Sequence, residues 1–160
     1  MMDEDGPRYL HASVTSVEFG SHVTVVEPSN LYGCSIGSHT FIGPFVEIQR
    51  GVAVGSRCKI QSHSFICEMV TIGDDVFVGH GVMFINDWLR GGPAGGDRSR
   101  WGATWVGDHV AIGSNATILP VRIVSGCVIG AGAVVTKDCL VPGTYLGNPA
   151  RLSTDSGVQA

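Results

Sequence analysis

Nine apolar residues recur at an unbroken spacing of six: Ile36, Ile42, Ile48, Val54, Ile60, Ile66, Ile72, Val78 and Phe84. The register returns at Val106, Ile112 and Ile129. A period of six matches neither the 3.6-residue helix nor a lone amphipathic strand, whose period is two. It matches a parallel β-helix, in which each hexapeptide forms one side of a coil and three sides close a turn of about 18 residues. Position one points inward. Position five, an even number of residues further on, does the same. It holds small or β-branched residues: Thr40, Val46, Val52, Cys58, Ser64, Val70, Val76 and Val82. Position two is often glycine (Gly37, Gly43, Gly55, Gly73, Gly79), which we assign to corners with unusual backbone dihedrals.

A coil of this kind buries its apolar residues only by stacking on the next, so the expected fold is a single all-β solenoid domain. Coils are expected over about residues 14–85, some four turns, and 104–141, some two more, with a tail at 142–160. Leu31 to Ile36 and Ile118 to Ile123 are five-residue steps, read either as tightened corners or as a shift of frame. Residues 86–103 (NDWLRGGPAGGDRSRWGA) lack the aliphatic register and form an expelled loop. Irregular segments of this length are either functional or disordered. Trp88 and Trp101 favour a functional or subunit-contacting loop.

The net charge is −4, charged residues make up 15% of the chain, and no basic stripe is present, which argues against nucleic acid as a partner. No apolar run reaches membrane-spanning length, and the first residues do not follow the charged-then-apolar form of a signal peptide; a cytoplasmic location is expected. The five cysteines include no CxxC pair. Cys58 and Cys127 occupy inward fifth positions and read as small core residues, with no disulfide framework or cysteine zinc site.

With 18 residues per coil, residues i and i+18 stack. His80 then lies over Ser62, Gly81 over His63, and Asn86 over Glu68, itself over Arg50. This map gathers His80, His63, Glu68, Asn86 and Asp87 in adjacent coils where the loop departs, and they are the candidate site. Each has a plainer reading as a solvated surface group, and His11, His22, His39 and His109 are read only that way.

The repeats, the segment GHGVMFIND and the tail IGAGAVVTKDCLVPGTYLGNPAR together resemble the hexapeptide acyltransferases over residues 14–151. LYGCSIGSHTFIGPFVEIQ and CKIQSHSFICEMVTIGDDVFVGHGVMFIND are most similar to the branch that N-acetylates nucleotide-linked amino sugars with acetyl-CoA. The resemblance implies a left-handed helix and a homotrimer with active sites between neighbours. It places His80 near the reacting amine and Asn86 and Asp87 where the sugar contacts begin. It puts the coenzyme along Gly113, Ser114, Ala131, Gly132, Lys137 and Arg151, and it implies no metal. Two departures stand out: the loop is glycine-rich (GGPAGG), and the turn after ILP is one residue short.

A sugar amine is mostly protonated at neutral pH, so a group that takes its proton assists attack on a thioester. Histidine is suited to that role. The alternative acceptor on the same fold is a sugar hydroxyl. A zinc carbonic-anhydrase-like trimer would need a third histidine beside His63 and His80, which GHGVMFIND does not supply. A non-catalytic β-helix, such as an ice-binding module, would show outward Thr ladders, which the chain lacks.

Overall fold

The computed structural model describes residues 13–88 and 97–154. The chain winds as a parallel β-solenoid of strands two or three residues long, arranged on three faces. The first face has seven strands, from Val14–Thr15 to Val134–Val135. The second has six, from Glu18–Phe19 to Arg122–Ile123. The third has eight, from Thr24–Val25 to Arg151–Leu152. Thr144–Leu146 carries the third face beyond residue 141, with Val128 N–H donating to the Gly143 carbonyl (2.9 Å) and Gly130 N–H to that of Tyr145 (2.8 Å). Arg151–Leu152 then folds back antiparallel on it.

Backbone hydrogen bonds run along the solenoid axis and tie each hexapeptide to its neighbour one coil away. At the strands, Gly37 N–H donates to the Val54 carbonyl (2.8 Å) and Phe41 N–H to that of Cys58 (2.9 Å). At the corners, the position-four N–H donates to the position-three carbonyl of the preceding coil, as from Arg57 to Ser38 (2.8 Å) and Gly81 to Ser62 (3.0 Å). Position one is inward throughout: Ile42, Ile48, Ile60, Ile66, Val78 and Phe84 have no exposed surface. Position five is inward too, and its polar members are satisfied. Thr40 Oγ1 donates to the Gly55 carbonyl (2.9 Å), and Ser64 Oγ to that of Gly79 (2.8 Å).

Register partners are 18 apart in a full coil, as in Ile36 and Val54, but 17 apart where a five-residue step occurs, as in Ile112 and Ile129. They are 34 apart across the loop, as in Ile72 and Val106. The steps from Leu31 to Ile36 and from Ile118 to Ile123 are therefore tightened corners, not a shift of frame. Both lie between the first and second faces, and so does the loop, which leaves after Met83–Phe84 and returns at Thr104–Val106. We call this the loop edge.

The position-two glycines have a different cause from the one their sequence suggested. Left-handed backbone occurs at position four instead, at His39 (φ 60°), Phe45 (φ 60°), Arg57 (φ 58°), His63 (φ 64°) and Gly81 (φ 64°). Position two is glycine because the next coil passes against it: a Cβ on Gly79 would sit 2.6 Å from the Ser114 backbone nitrogen.

All five cysteines are buried and free. Burial pushes the Cys34 thiol up to about 11 and those of Cys67 and Cys139 up to about 12. A thiol held this high stays protonated below that range, so at pH 8 the native protein is expected to react with no thiol reagent until unfolded, when five thiols are released. Rapid native labelling would contradict that packing. A Cβ on Gly107 would meet the Ser125 backbone nitrogen at 2.6 Å, so Gly107→Ala is expected to cost about 1–3 kcal/mol in chemical denaturation. Gly51 is left-handed (φ 75°) with open space around it, and Gly51→Asn is expected to stay within about 0.5 kcal/mol of the parent.

Candidate active site

His80 stands on the edge between the third and first faces, at the corner joining Phe77–Val78 to Met83–Phe84. Its side chain is exposed, and Nδ1 lies 2.9 Å from Ser62 Oγ, one coil below. Its backbone is fixed from the coil above, with the N–H donating to Ser114 Oγ (3.2 Å) and the carbonyl accepting from Asn115 N–H (2.8 Å). The expected stacking of His80 on Ser62 is therefore present. His63 occupies the same edge, but its ring stacks on Phe45, with centroids 4.9 Å apart. We call this the histidine edge.

Glu68, Asn86 and Asp87 lie on the loop edge, where the chain leaves the coil. Asn86 Nδ2 donates to the Glu68 carbonyl (3.2 Å), so this stacking is present as well. Glu68 N–H donates to Gln49 Oε1 (3.3 Å), and its carboxylate pairs with Arg98 Nη2. Asp87 forms an antiparallel bridge with Trp101, and Gly102 N–H donates to the Asn86 carbonyl (2.8 Å), fastening the loop root. The segment GGPAGG lies outside the described residues.

The candidate residues thus form two groups, not one. The strand Met83–Phe84 separates them across the first face. His80 and Asn86 are six residues apart along nearly extended chain, a separation on the order of 15–20 Å within one chain.

The residues expected to hold a coenzyme divide in the same way. Gly113, Ser114, Ala131 and Gly132 form corners of the histidine edge directly above His80, with Gly132 N–H donating to the Ser114 carbonyl (2.8 Å). A Cβ on Gly132 would meet nothing within 4 Å, and Ala131 is exposed, so this edge is open to an elongated ligand. The terminal segment caps the end of the first face, Ala150 N–H donating to the Val134 carbonyl (2.8 Å), and Arg151 follows, exposed. Lys137 is exposed on the loop edge instead.

The third edge is built differently. Arg57 pairs with Asp75 (2.8 Å) and Asp74 (3.1 Å), and the guanidinium's hydrogen bond holds the Asp75 carboxyl below its ordinary range. His22 and His39 stack there at 5.0 Å, exposed as their sequence positions suggested, as is His109. His11 lies outside the described residues. Among the described residues no three His, Cys, Asp or Glu side chains are grouped as a metal ion would need. No helix among them is long and apolar enough to cross a membrane.

Two features escaped sequence reasoning. The 18-residue stacking places Ser62 beneath His80 but does not specify its bond to the ring. Arg98 was hidden inside the aperiodic loop, where only its place three residues before Trp101 gave a signal.

Two family models match the chain: the bacterial transferase hexapeptide over residues 33–68 and the hexapeptide repeat of succinyl-transferase over residues 104–137. The chain belongs to the hexapeptide-repeat acyltransferase family. The bifunctional protein GlmU of Dichelobacter nodosus is 38% identical over 131 residues, covering 76% of this chain and 28% of that protein. The chain thus spans about a quarter of the length of the curated relatives it matches. Among solved structures, a variant of AntD, an N-acyltransferase from Bacillus cereus in complex with dTDP and coenzyme A, superposes with a TM-score of 0.73 at 23% identity, covering 88% of this chain and 84% of that one. A variant of perosamine N-acetyltransferase from Caulobacter crescentus, in complex with CoA and GDP-perosamine, gives a TM-score of 0.60 at 19% identity, covering 90% and 58%. These superpositions show the shared solenoid fold, consistent with the left-handed winding that the sequence resemblance implied.

The bond from Ser62 predicts a spectroscopic consequence. In Ser62→Ala, the His80 ring loses its fixed orientation, and its ring 1H–15N NMR signals at a single pH are expected to shift relative to the parent while those of His22 and His39 stay unchanged. Identical His80 ring signals in both proteins would mean the contact does not form in solution.

Proposed function

We propose that this protein is an acetyl-CoA-dependent N-acetyltransferase acting on the amino group of a nucleotide-linked amino sugar. The observation that carries the reading is His80, exposed, oriented by Ser62, and set at the foot of an open edge formed by Ser114, Ala131 and Gly132. The shared fold with AntD and perosamine N-acetyltransferase supports it, since those proteins carry nucleotide or nucleotide-sugar ligands together with CoA.

Acetyl-CoA supplies the acetyl group as a thioester. The chain's own contribution is positional and acid–base. In the tautomer whose Nδ1–H donates to Ser62 Oγ, Nε2 of His80 carries the free lone pair and can accept the proton of the attacking amine. The nitrogen forms a bond to the acetyl carbon, the carbon–sulfur bond breaks, and the departing thiolate takes up a proton. The glycine N–H groups of this edge are spent on the axial ladder, so position-three backbone N–H groups would be the donors to the developing oxyanion. Gly113, Ser114, Ala131, Gly132 and Arg151 would line the coenzyme's path, and Asn86 and Asp87 would hold the sugar.

Because His80 and Asn86 stand on different edges, they meet only if two chains meet. We therefore place the site between neighbouring subunits of a homotrimer, with the histidine edge of one chain facing the loop edge of the next. Lys137, on the loop edge, would then reach the coenzyme bound along its neighbour's histidine edge.

His80→Ala is expected to lower kcat/KM by roughly 10²–10⁴-fold, the usual contribution of a general base. A change of threefold or less would remove histidine as the base. Thiol release from acetyl-CoA with a panel of nucleotide-linked amino sugars tests the substrate class. Turnover with sugar hydroxyls but with no amine would overturn it in favour of O-acetylation.

A further inference from the structure

The returning half of the loop carries two arginines: Arg100 pairs with Asp97 within the turn (3.3 Å), and Arg98 is brought to the loop edge and held there from two directions. Residues 97–101 form a short turn in which Asp97 Oδ1 accepts from Ser99 N–H (3.0 Å) and Oγ (2.5 Å), and Arg100 N–H donates to the Asp97 carbonyl (3.1 Å). That turn brings Arg98 Nη2 onto Glu68 Oε2. It also lays the guanidinium over the Trp101 ring, 5.0 Å from the centroid. A carboxylate on one guanidinium nitrogen and an aromatic ring against the group together fix the cation in orientation as well as place.

The anchor is rigid. Glu68 is held at its N–H by Gln49 and at its carbonyl by Asn86, and its side chain is only 19% exposed. The Arg98 side chain is 62% exposed. A guanidinium carries five N–H donors in a fixed fork, and one carboxylate engages at most two of them. The pinned cation therefore turns a donor edge outward at the loop root, next to Asn86 and Asp87. Without it, the carboxylates of Glu68 and Asp87 would repel an anionic acceptor there.

We infer that Arg98 is the specificity-determining residue that reads the diphosphate of the acceptor, with Glu68 and Trp101 as its positioning partners. The inference rests on the reading of the acceptor as nucleotide-linked and adds to it the residue that recognises the link. Phosphate oxygens match the spacing of the guanidinium fork, whereas a lysine ammonium would offer charge without that geometry.

The test is binding of a nucleoside diphosphate (UDP, dTDP and GDP in turn) to the full chain by calorimetry, with tryptophan fluorescence as a second readout. The parent is expected to bind at least one of them. Arg98→Ala should weaken that binding by about 10–100-fold while leaving the melting temperature unchanged. Arg98→Lys should recover little of the loss, and Glu68→Gln should weaken binding less than Arg98→Ala. The corresponding nucleoside monophosphate should bind more weakly to the parent and lose less on substitution. An amino-uronic acid that binds through Arg98 better than any diphosphate would assign the cation to a sugar carboxylate and overturn the inference. So would unchanged diphosphate binding in Arg98→Ala, or no diphosphate binding by the parent. The two readings fail separately. A parent that acetylates simple amino sugars but binds no diphosphate loses Arg98's role and keeps acyl transfer. A parent that binds diphosphate through Arg98 but acetylates nothing does the reverse.

Discussion

A hexapeptide in this chain can bury its first and fifth side chains only between the coils above and below, and the axial ladder of backbone hydrogen bonds fixes how those coils stack. Each rung therefore places residues of the same position in one column. Ser62, His80, Ser114 and Ala131 form such a column, and Glu68 and Asn86 belong to another. Where the next coil passes closest to position two, as at Gly37, Gly55 and Gly79, the ladder leaves no room for a side chain, and glycine recurs there. It accepts bulky residues in left-handed backbone at position four, where His63, Phe45 and Arg57 project away from the axis. A scaffold this regular leaves its polar corner side chains as the main variable, so chemistry is confined to edges.

The three edges differ accordingly. One is closed by the Arg57 pairs and stacked histidines. One is open above His80. The third absorbs every irregularity, including both tightened corners and the long loop. Concentrating irregularity on a single edge leaves the other two ladders uninterrupted, so the solenoid resumes after the loop with Ile72 pairing directly to Val106. The loop in turn is fastened at its root by Asp87, Trp101 and Gly102, and by Arg98 reaching back to Glu68.

Much of this was legible in the sequence because it is periodic. The unbroken register from Ile36 to Phe84 dictated the solenoid, and the 18-residue interval placed His80 over Ser62 and Asn86 over Glu68. The same register held a second fact that vertical stacking conceals: residues six apart sit on different edges, so His80 and Asn86 diverge. Glycine at position two is ambiguous in the sequence because tight turns and close coil packing favour the same residue, and only the backbone dihedrals separate them. The clasp of Arg98 on Glu68 was beyond sequence reasoning altogether. It depends on how an aperiodic segment folds back, and no repeat encodes that.

Division of the site between two edges leads to one decisive measurement. His80→Ala chains and Asp87→Ala chains, each inactive alone, can be unfolded together at equal ratio, reassembled, and assayed for thiol release from acetyl-CoA with the best acceptor. In a closed cyclic assembly with each site shared between neighbours, about one site in four would draw an intact His80 from one chain and an intact Asp87 from the next. Recovery of about a quarter of the parent's activity is the predicted result. A mixture that stays as inactive as its components would mean that each chain builds its own site, and would contradict the arrangement proposed here.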